Sequence, residues 1–217
     1  MDTVRARTNM VENQLRTNRI DDPAVLAAMG SVPRELFLPK ALHGVAYADE
    51  DLLLPDGRFL IEPLVFARLL QAAAIDRDDV VLVTGCDTGY AAAVVSKLAA
   101  TVIFIQRSDE TAARVQPVLD KIEADNVVTS VHADPAGGDP GQAPFDAIML
   151  IGAVDRIPET LVGQLNDDGR LTAVEGSGRV GKGVVVTKIH GAAAKRELFD
   201  AHVPDFNRMK RPAEFAF

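Results

Sequence analysis

Asp79-Val80-Val81-Leu82-Val83-Thr84-Gly85-Cys86-Asp87-Thr88-Gly89 joins a short, continuous apolar run to a turn bounded by glycines. An apolar run of this length, with no polar alternation, predicts a strand buried on both faces. The residues that follow, 90–99, are rich in alanine and predict a helix. A buried strand that turns through glycines into a helix resembles the first turn of a nucleotide-binding fold. There the glycines let a cofactor approach the backbone, and the helix N-terminus favours negative charge. The turn alone does not decide the matter, because any tight strand-to-helix connection favours glycine for steric reasons.

Working outward, the same alternation continues. Residues 101–105 predict a second buried strand, 109–122 a helix, 127–132 a third strand, and 145–151 a fourth, introduced by Ala143-Pro144. Residues 158–165 read as a helix that stops at Asp167-Asp168-Gly169, followed by strands at 170–174, 183–189 and around 197–202. Upstream, 63–74 is an amphipathic helix that starts on a proline. Residues 43–62, with Pro55-Asp56-Gly57, predict an ordered loop holding a short hairpin. Residues 8–42 are helical. Val11, Leu15, Ile20, Val25, Ala28 and Met29 recur at near-helical spacing, and Asp22-Pro23 supplies an N-cap and a first-turn proline. Strands separated by single helices imply right-handed βαβ units and a mostly parallel sheet covered on both sides. The expected organisation is a helical extension and loop over 1–62, ahead of an α/β domain over 63–217 that forms one structural unit with it. The glycine- and proline-rich stretch 133–143 is expected at the carboxyl edge of the sheet, where α/β proteins place ligands.

Composition narrows the function. The 217 residues are 47% apolar and 25% charged, as in ordinary globular proteins. No apolar run approaches the roughly 20 residues that span a bilayer, and Met1 to Arg7 precede no apolar segment of the kind a secretory signal needs. A single cysteine, Cys86, excludes an internal disulfide and fits a reducing compartment, so a cytoplasmic protein is expected. The net charge of −8 argues against nucleic acid, which needs a basic face. The one basic cluster, Arg208, Lys210 and Arg211, reads as a solvated edge. His43, His132, His190 and His202 show no metal-ligand spacing with one another or with Cys86, so no metal site is expected. Cys86 reads as a small packed residue of the turn, and Tyr47 and Phe104 as core.

The order of segments resembles the protein-L-isoaspartate O-methyltransferase family along essentially the whole chain. The likeness is carried by Val32-Pro33-Arg34-Glu35-Leu36-Phe37-Leu38-Pro39, by Ala46-Tyr47-Ala48-Asp49, and by Gly89-Tyr90-Ala91-Ala92-Ala93. It continues through Ala143-Pro144-Phe145-Asp146-Ala147-Ile148, Ile157-Pro158, and Gln164-Leu165 with Gly169-Arg170-Leu171. The resemblance implies an α/β, Rossmann-like methyltransferase fold whose seven-stranded sheet has one antiparallel strand. It also implies S-adenosylmethionine as methyl donor, a protein or peptide substrate, and esterification of isoaspartyl α-carboxylates.

The departures from the family pattern fall on the chemistry. Where the family carries Gly-Gln-Thr-Ile-Ser, this chain has Gly57-Arg58-Phe59-Leu60-Ile61. Phe59 stands in place of the threonine and Ile61 in place of the serine, and neither side chain can donate a hydrogen bond to a substrate carboxylate. Arg58 could bind a carboxylate, although Glu62 nearby favours a local ion pair. On the cofactor side the resemblance places Gly85, Asp87 and Gly89 in the glycine turn, with Val83 for an acid and Asp87 for the middle glycine. Gln106 replaces the ribose-binding glutamate, and Asp134 keeps the adenine-contacting acid between Ala133 and Pro135. The expectation is a family member impaired or inactive in isoaspartyl methylation, with cofactor binding weakened or lost. The alternatives are a methyltransferase of altered specificity and a non-catalytic binding or scaffold protein.

Overall fold

In the computed structural model, which describes residues 2–85, 87–176 and 180–206, the quoted run becomes the centre of the main sheet. Two short strands, β1 (Leu52–Leu53) and β2 (Phe59–Leu60), pair antiparallel into a separate hairpin. The main sheet holds β3 (Val80–Thr84), β4 (Thr101–Gln106), β5 (Val127–Val131), β6 (Phe145–Val154), β7 (Leu165–Glu175), β8 (Gly181–Ile189) and β9 (Ala192–Ala201). Their spatial order is β5-β4-β3-β6-β7-β8-β9, and β8 alone runs antiparallel to its neighbours. The expected doubly covered sheet with one antiparallel strand is therefore present. Cys86 and the Arg208, Lys210, Arg211 cluster lie outside the described residues.

The helices form where local chemistry starts them. Asp22 caps α2 (Pro23–Ser31), its carboxylate accepting from the N–H groups of Ala24 at 2.8 Å and Val25 at 3.3 Å. Pro63 opens α3 (Pro63–Ala73), at the position where a missing N–H costs nothing. Ser108 and Thr111 exchange side-chain-to-backbone bonds in a capping box at the head of α5 (Asp109–Lys121). The remaining α-helices are α1 (Thr3–Asn9), α4 (Tyr90–Val95) and the one-turn α6 (Glu159–Gly163), and a π-helical turn over Met10–Leu15 and short 3₁₀ turns complete the N-terminal stretch.

Several boundaries differ from the sequence reading: helix begins at Thr3, β6 runs on to Val154, β8 starts at Gly181 and β9 at Ala192, and two further differences have a physical reason. α4 ends at Val95, and tight turns carry the chain to Ala99. β7 begins at Leu165, inside what the turn-forming residues predicted as a helix end. Leu165 pairs with Phe145, the register then slips, and pairing resumes at Arg170 with Ala147. The residues between bulge out, with Asp168 at φ 66°.

Side chains of β3 alternate between two cores. Val81 and Val83 pack with Met10, Leu15, Met29, Phe66 and Tyr90, while Leu82 packs with Ile103, Ile148, Leu150 and Leu161. Residues of the N-terminal stretch thus share the apolar cluster on one face of the sheet. Arg34 sits inside that cluster with no exposed surface. Its Nε donates to the Ala46 carbonyl at 2.6 Å and its Nη2 to the Ile61 carbonyl at 2.8 Å, while its guanidinium lies 4.7 Å from the centroid of the Tyr90 ring. One side chain therefore holds both ends of the 46–61 loop against α4. Replacing it with methionine strips two buried carbonyls of their donors. Arg34→Met is expected to cost about 3 kcal/mol in urea denaturation and to make residues 46–62 the first site of limited proteolysis.

Candidate active site

From β3 the chain proceeds to β4 and β5 on one side of the sheet, then returns to place β6 on the other side of β3. The carboxyl ends of β3 and β6 therefore flank a topological switch point, where open α/β sheets leave a crevice. Two glycines form its floor. A Cβ on Gly85, at φ 102°, would lie 2.4 Å from the Ile151 carbonyl oxygen and 2.6 Å from the Phe206 ring. A Cβ on Gly152, at φ 130°, would lie 3.0 Å from the Cα of Phe206. The chain's own residue 206 thus lies directly on the bare backbone of the switch point.

Asp87 stands in the turn between β3 and α4 and is 1% exposed. Arg107, just past β4, donates from Nε to its Oδ2 at 3.0 Å, and Oδ1 has no partner among the described residues. Burial pushes the Asp87 carboxyl up to about 6 even with Arg107 alongside. Arg107 also donates from Nη2 to the Phe206 carbonyl at 2.9 Å, with its guanidinium 5.4 Å from the centre of that ring. Gln106 is fully buried, and neither atom of its amide has a partner among the described residues. Asp134 is exposed and accepts from the Ala136 N–H at 3.3 Å, capping a single 3₁₀ turn over Pro135–Gly137. Gly85, Asp87 and Gly89 thus share the turn after β3, Gln106 ends β4, and Asp134 follows β5.

Phe59, Leu60 and Ile61, expected from the sequence on the substrate side, are 4%, 0% and 1% exposed and belong to the core. Arg58 pairs with Asp56 at 2.8 Å rather than with Glu62, and its Nη1 donates to the Asp87 carbonyl at 3.2 Å. It tethers the hairpin to the glycine turn. A cleft of about 200 Å³ opens beside it, lined by Phe37, Leu54, Arg58, Thr88, Arg114 and Val115. Its two arginines share Asp56, at 2.8 and 3.2 Å, so its positive charge is partly cancelled. Ser130, His132 and Asp139 also meet, but Ser130 and Asp139 both face the Nε2 of His132, at 2.9 and 3.3 Å. A nucleophile relay needs the two imidazole nitrogens on opposite partners, so this cluster only ties down the 132–139 loop.

A model of the protein-L-isoaspartate(D-aspartate) O-methyltransferase family matches residues 5–197. The chain belongs to this family. It is 38% identical over 194 residues to the protein-L-isoaspartate O-methyltransferase of Koribacter versatilis, covering 89% of this chain and 87% of that one. It is 41% identical over 171 residues to that of Methylorubrum extorquens, covering 78% and 74%. Among solved structures, a protein-L-isoaspartate O-methyltransferase superposes with a TM-score of 0.79 at 23% identity, over 92% of this chain and 65% of that longer one. A Plasmodium falciparum protein of the same description, in complex with S-adenosyl-L-homocysteine, gives 0.78 at 20% identity, over 93% and 98%. The family's members are S-adenosylmethionine-dependent methyltransferases. No helix among the described residues is long and apolar enough to cross a membrane, and none of them form a metal-binding cluster.

Set against that cofactor, the crevice fits at one end only. The unpaired amide of Gln106 suits a ribose hydroxyl. The middle of the glycine turn instead holds a buried carboxylate, and the floor is covered by Phe206. Arg107 and Phe206 carry no motif. The only hint of them in the sequence is that a charge as deeply placed as Asp87 requires a cation.

Two further carboxyls are raised. The side chains of Asp49 and Asp51 accept from the N–H groups of Leu64 and Glu62 at the start of α3. Burial lifts Asp51 to about 6 and, with the charges of Asp51 and Asp49 added, lifts Glu62 to about 7. For a raised carboxyl the folded state keeps a proton that the unfolded state releases, so its contribution is present at low pH and lost as pH rises through the folded value. Urea denaturation should therefore show lower stability at pH 8 than at pH 5. Asp51→Asn, which keeps the Oδ1 acceptor, should flatten that slope.

Proposed function

We propose that this chain is a divergent protein-L-isoaspartate O-methyltransferase that methylates isoaspartyl α-carboxylates poorly or not at all. The observation that carries this reading is the burial of Phe59 and Ile61 in the apolar core, where the family pattern has hydroxyl groups. A substrate carboxylate brought there would lose water and gain no donor, a penalty of roughly several kcal/mol. S-Adenosylmethionine remains the proposed cofactor class, with Gln106 toward the ribose. A cytoplasmic setting fits the single cysteine. A second reading, a methyltransferase of altered substrate specificity, is favoured over a non-catalytic scaffold by the unpaired Gln106 amide, because a crevice that had lost all ligands would have no use for a buried polar group there.

Isoaspartyl-peptide methylation is expected to fall at least about tenfold below that of a relative with the hydroxyls, a loss of about 1.4 kcal/mol or more in transition-state stabilisation. A rate equal to such a relative's would overturn the proposal. Calorimetric titration with S-adenosylmethionine separates the enzyme readings from a scaffold. Asp87→Gly should tighten binding, and Gln106→Glu should add to it through charge-assisted bonds of about 1.5–3 kcal/mol each. The double variant should still leave isoaspartyl peptides unmethylated.

A further inference from the structure

After β9 the chain turns back across the carboxyl edge of the sheet. The Ala153 N–H donates to the Pro204 carbonyl at 2.9 Å, and the Phe206 N–H donates to the Ala153 carbonyl at 2.8 Å. Residues 204–206 thereby extend the end of β6 as a parallel bridge, with Ala153 paired to Asp205. The ring of Phe206, 2% exposed, fills the space that Gly85 leaves open. Arg107 fastens the segment from the opposite wall, bonding the Phe206 carbonyl with one nitrogen and Asp87 with another. Val203 joins the apolar cluster behind it.

We propose that residues 203–206 act as an internal plug, occupying the half of the crevice that would receive the amino-acid end of S-adenosylmethionine, so that plug and cofactor compete for one space. The inference rests on assigning the crevice to that cofactor, as above, and not on the loss of isoaspartyl turnover. The filling is sterically close, because a Cβ on Gly85 would lie 2.6 Å from the Phe206 ring and one on Gly152 would press on the Phe206 backbone at 3.0 Å. It is chemically incomplete, because Asp87 Oδ1, Arg107 Nη1 and both amide atoms of Gln106 stay buried without partners among the described residues. An apolar ring, which here lies against Arg107 and Gly85, can satisfy none of these groups. A ligand with polar ends would, and this makes the plug displaceable rather than a permanent part of the core.

The test is S-adenosylmethionine binding to the full chain carrying Phe206→Ala, measured in the native and in the Asp87→Gly background. Removal of the ring is expected to tighten binding at least tenfold in one background or both. An unchanged affinity in both, with thermal melts showing folded protein, would overturn the plug. Hydrogen exchange on the unsubstituted chain gives an answer that needs no variant. With S-adenosylhomocysteine bound, the amides of Ala153 and Phe206 should lose protection as the bridge opens, and ligand bound with both amides still protected would refute competition. Isoaspartyl methylation is assayed in parallel. Turnover restored by Phe206→Ala would support the plug while overturning the proposed loss at Phe59 and Ile61, so the two readings can fail separately.

Discussion

β3 has no side of its central residues that it can show to water. Val81, Leu82 and Val83 are fully buried, so each face of the sheet must be covered along its whole middle. The N-terminal helices and α3 cover one face, and α6 with the apolar side chains of β6 and β7 contributes to the other. Flanking strands pair with β3 in parallel through β4 and β6. Parallel neighbours on both sides require crossovers, and crossovers in opposite directions create the gap at the strand ends. The crevice is thus a geometric by-product of burying β3, and it would exist whether or not the molecule still used it.

What the chain has done with that gap is governed by electrostatics. A carboxylate at position 87 is almost out of water, and Arg107 answers it from the next strand. Pairs of this kind rarely add much stability, because desolvation offsets the attraction; the raised carboxyl of Asp87 expresses that balance. Their effect is to fix geometry. Arg107 is committed in two directions, to Asp87 and to the Phe206 carbonyl, and Arg58 reaches the same turn from the hairpin. Three segments distant in sequence converge on the residue where the family pattern has a glycine.

The sheet was legible because its signals are local. The apolar runs within 80–84, 101–105 and 145–151 are best satisfied by burial on two faces, and the single antiparallel strand followed from the resemblance. The caps at Asp22 and Ser108 are short-range hydrogen bonds of the same local kind. The start of β7 was not legible, since Asn166-Asp167-Asp168-Gly169 carries turn chemistry and is tolerated in the strand only as a bulge. At the site, the residues of the glycine turn and Gln106 could be placed from the motif. The partner of Arg58 could not, because Asp56 and Glu62 are both within reach along the chain. Phe206 lay beyond any reading of pattern, as its contacts with Arg107 and Gly85 join residues about a hundred or more positions apart.

The direction of the polypeptide adds a temporal aspect to the bridge between Ala153 and Asp205. Gly85, Asp87, Gln106, Arg107 and Gly152 all precede the antiparallel ribbon of β7, β8 and β9, and Phe206 follows it. A ribosome therefore finishes every wall of the crevice before it makes the residue that closes it, and domains acquire structure from the N-terminal side as they emerge. Closure therefore follows the making of these walls. Any small molecule present at birth meets the crevice while it still stands open.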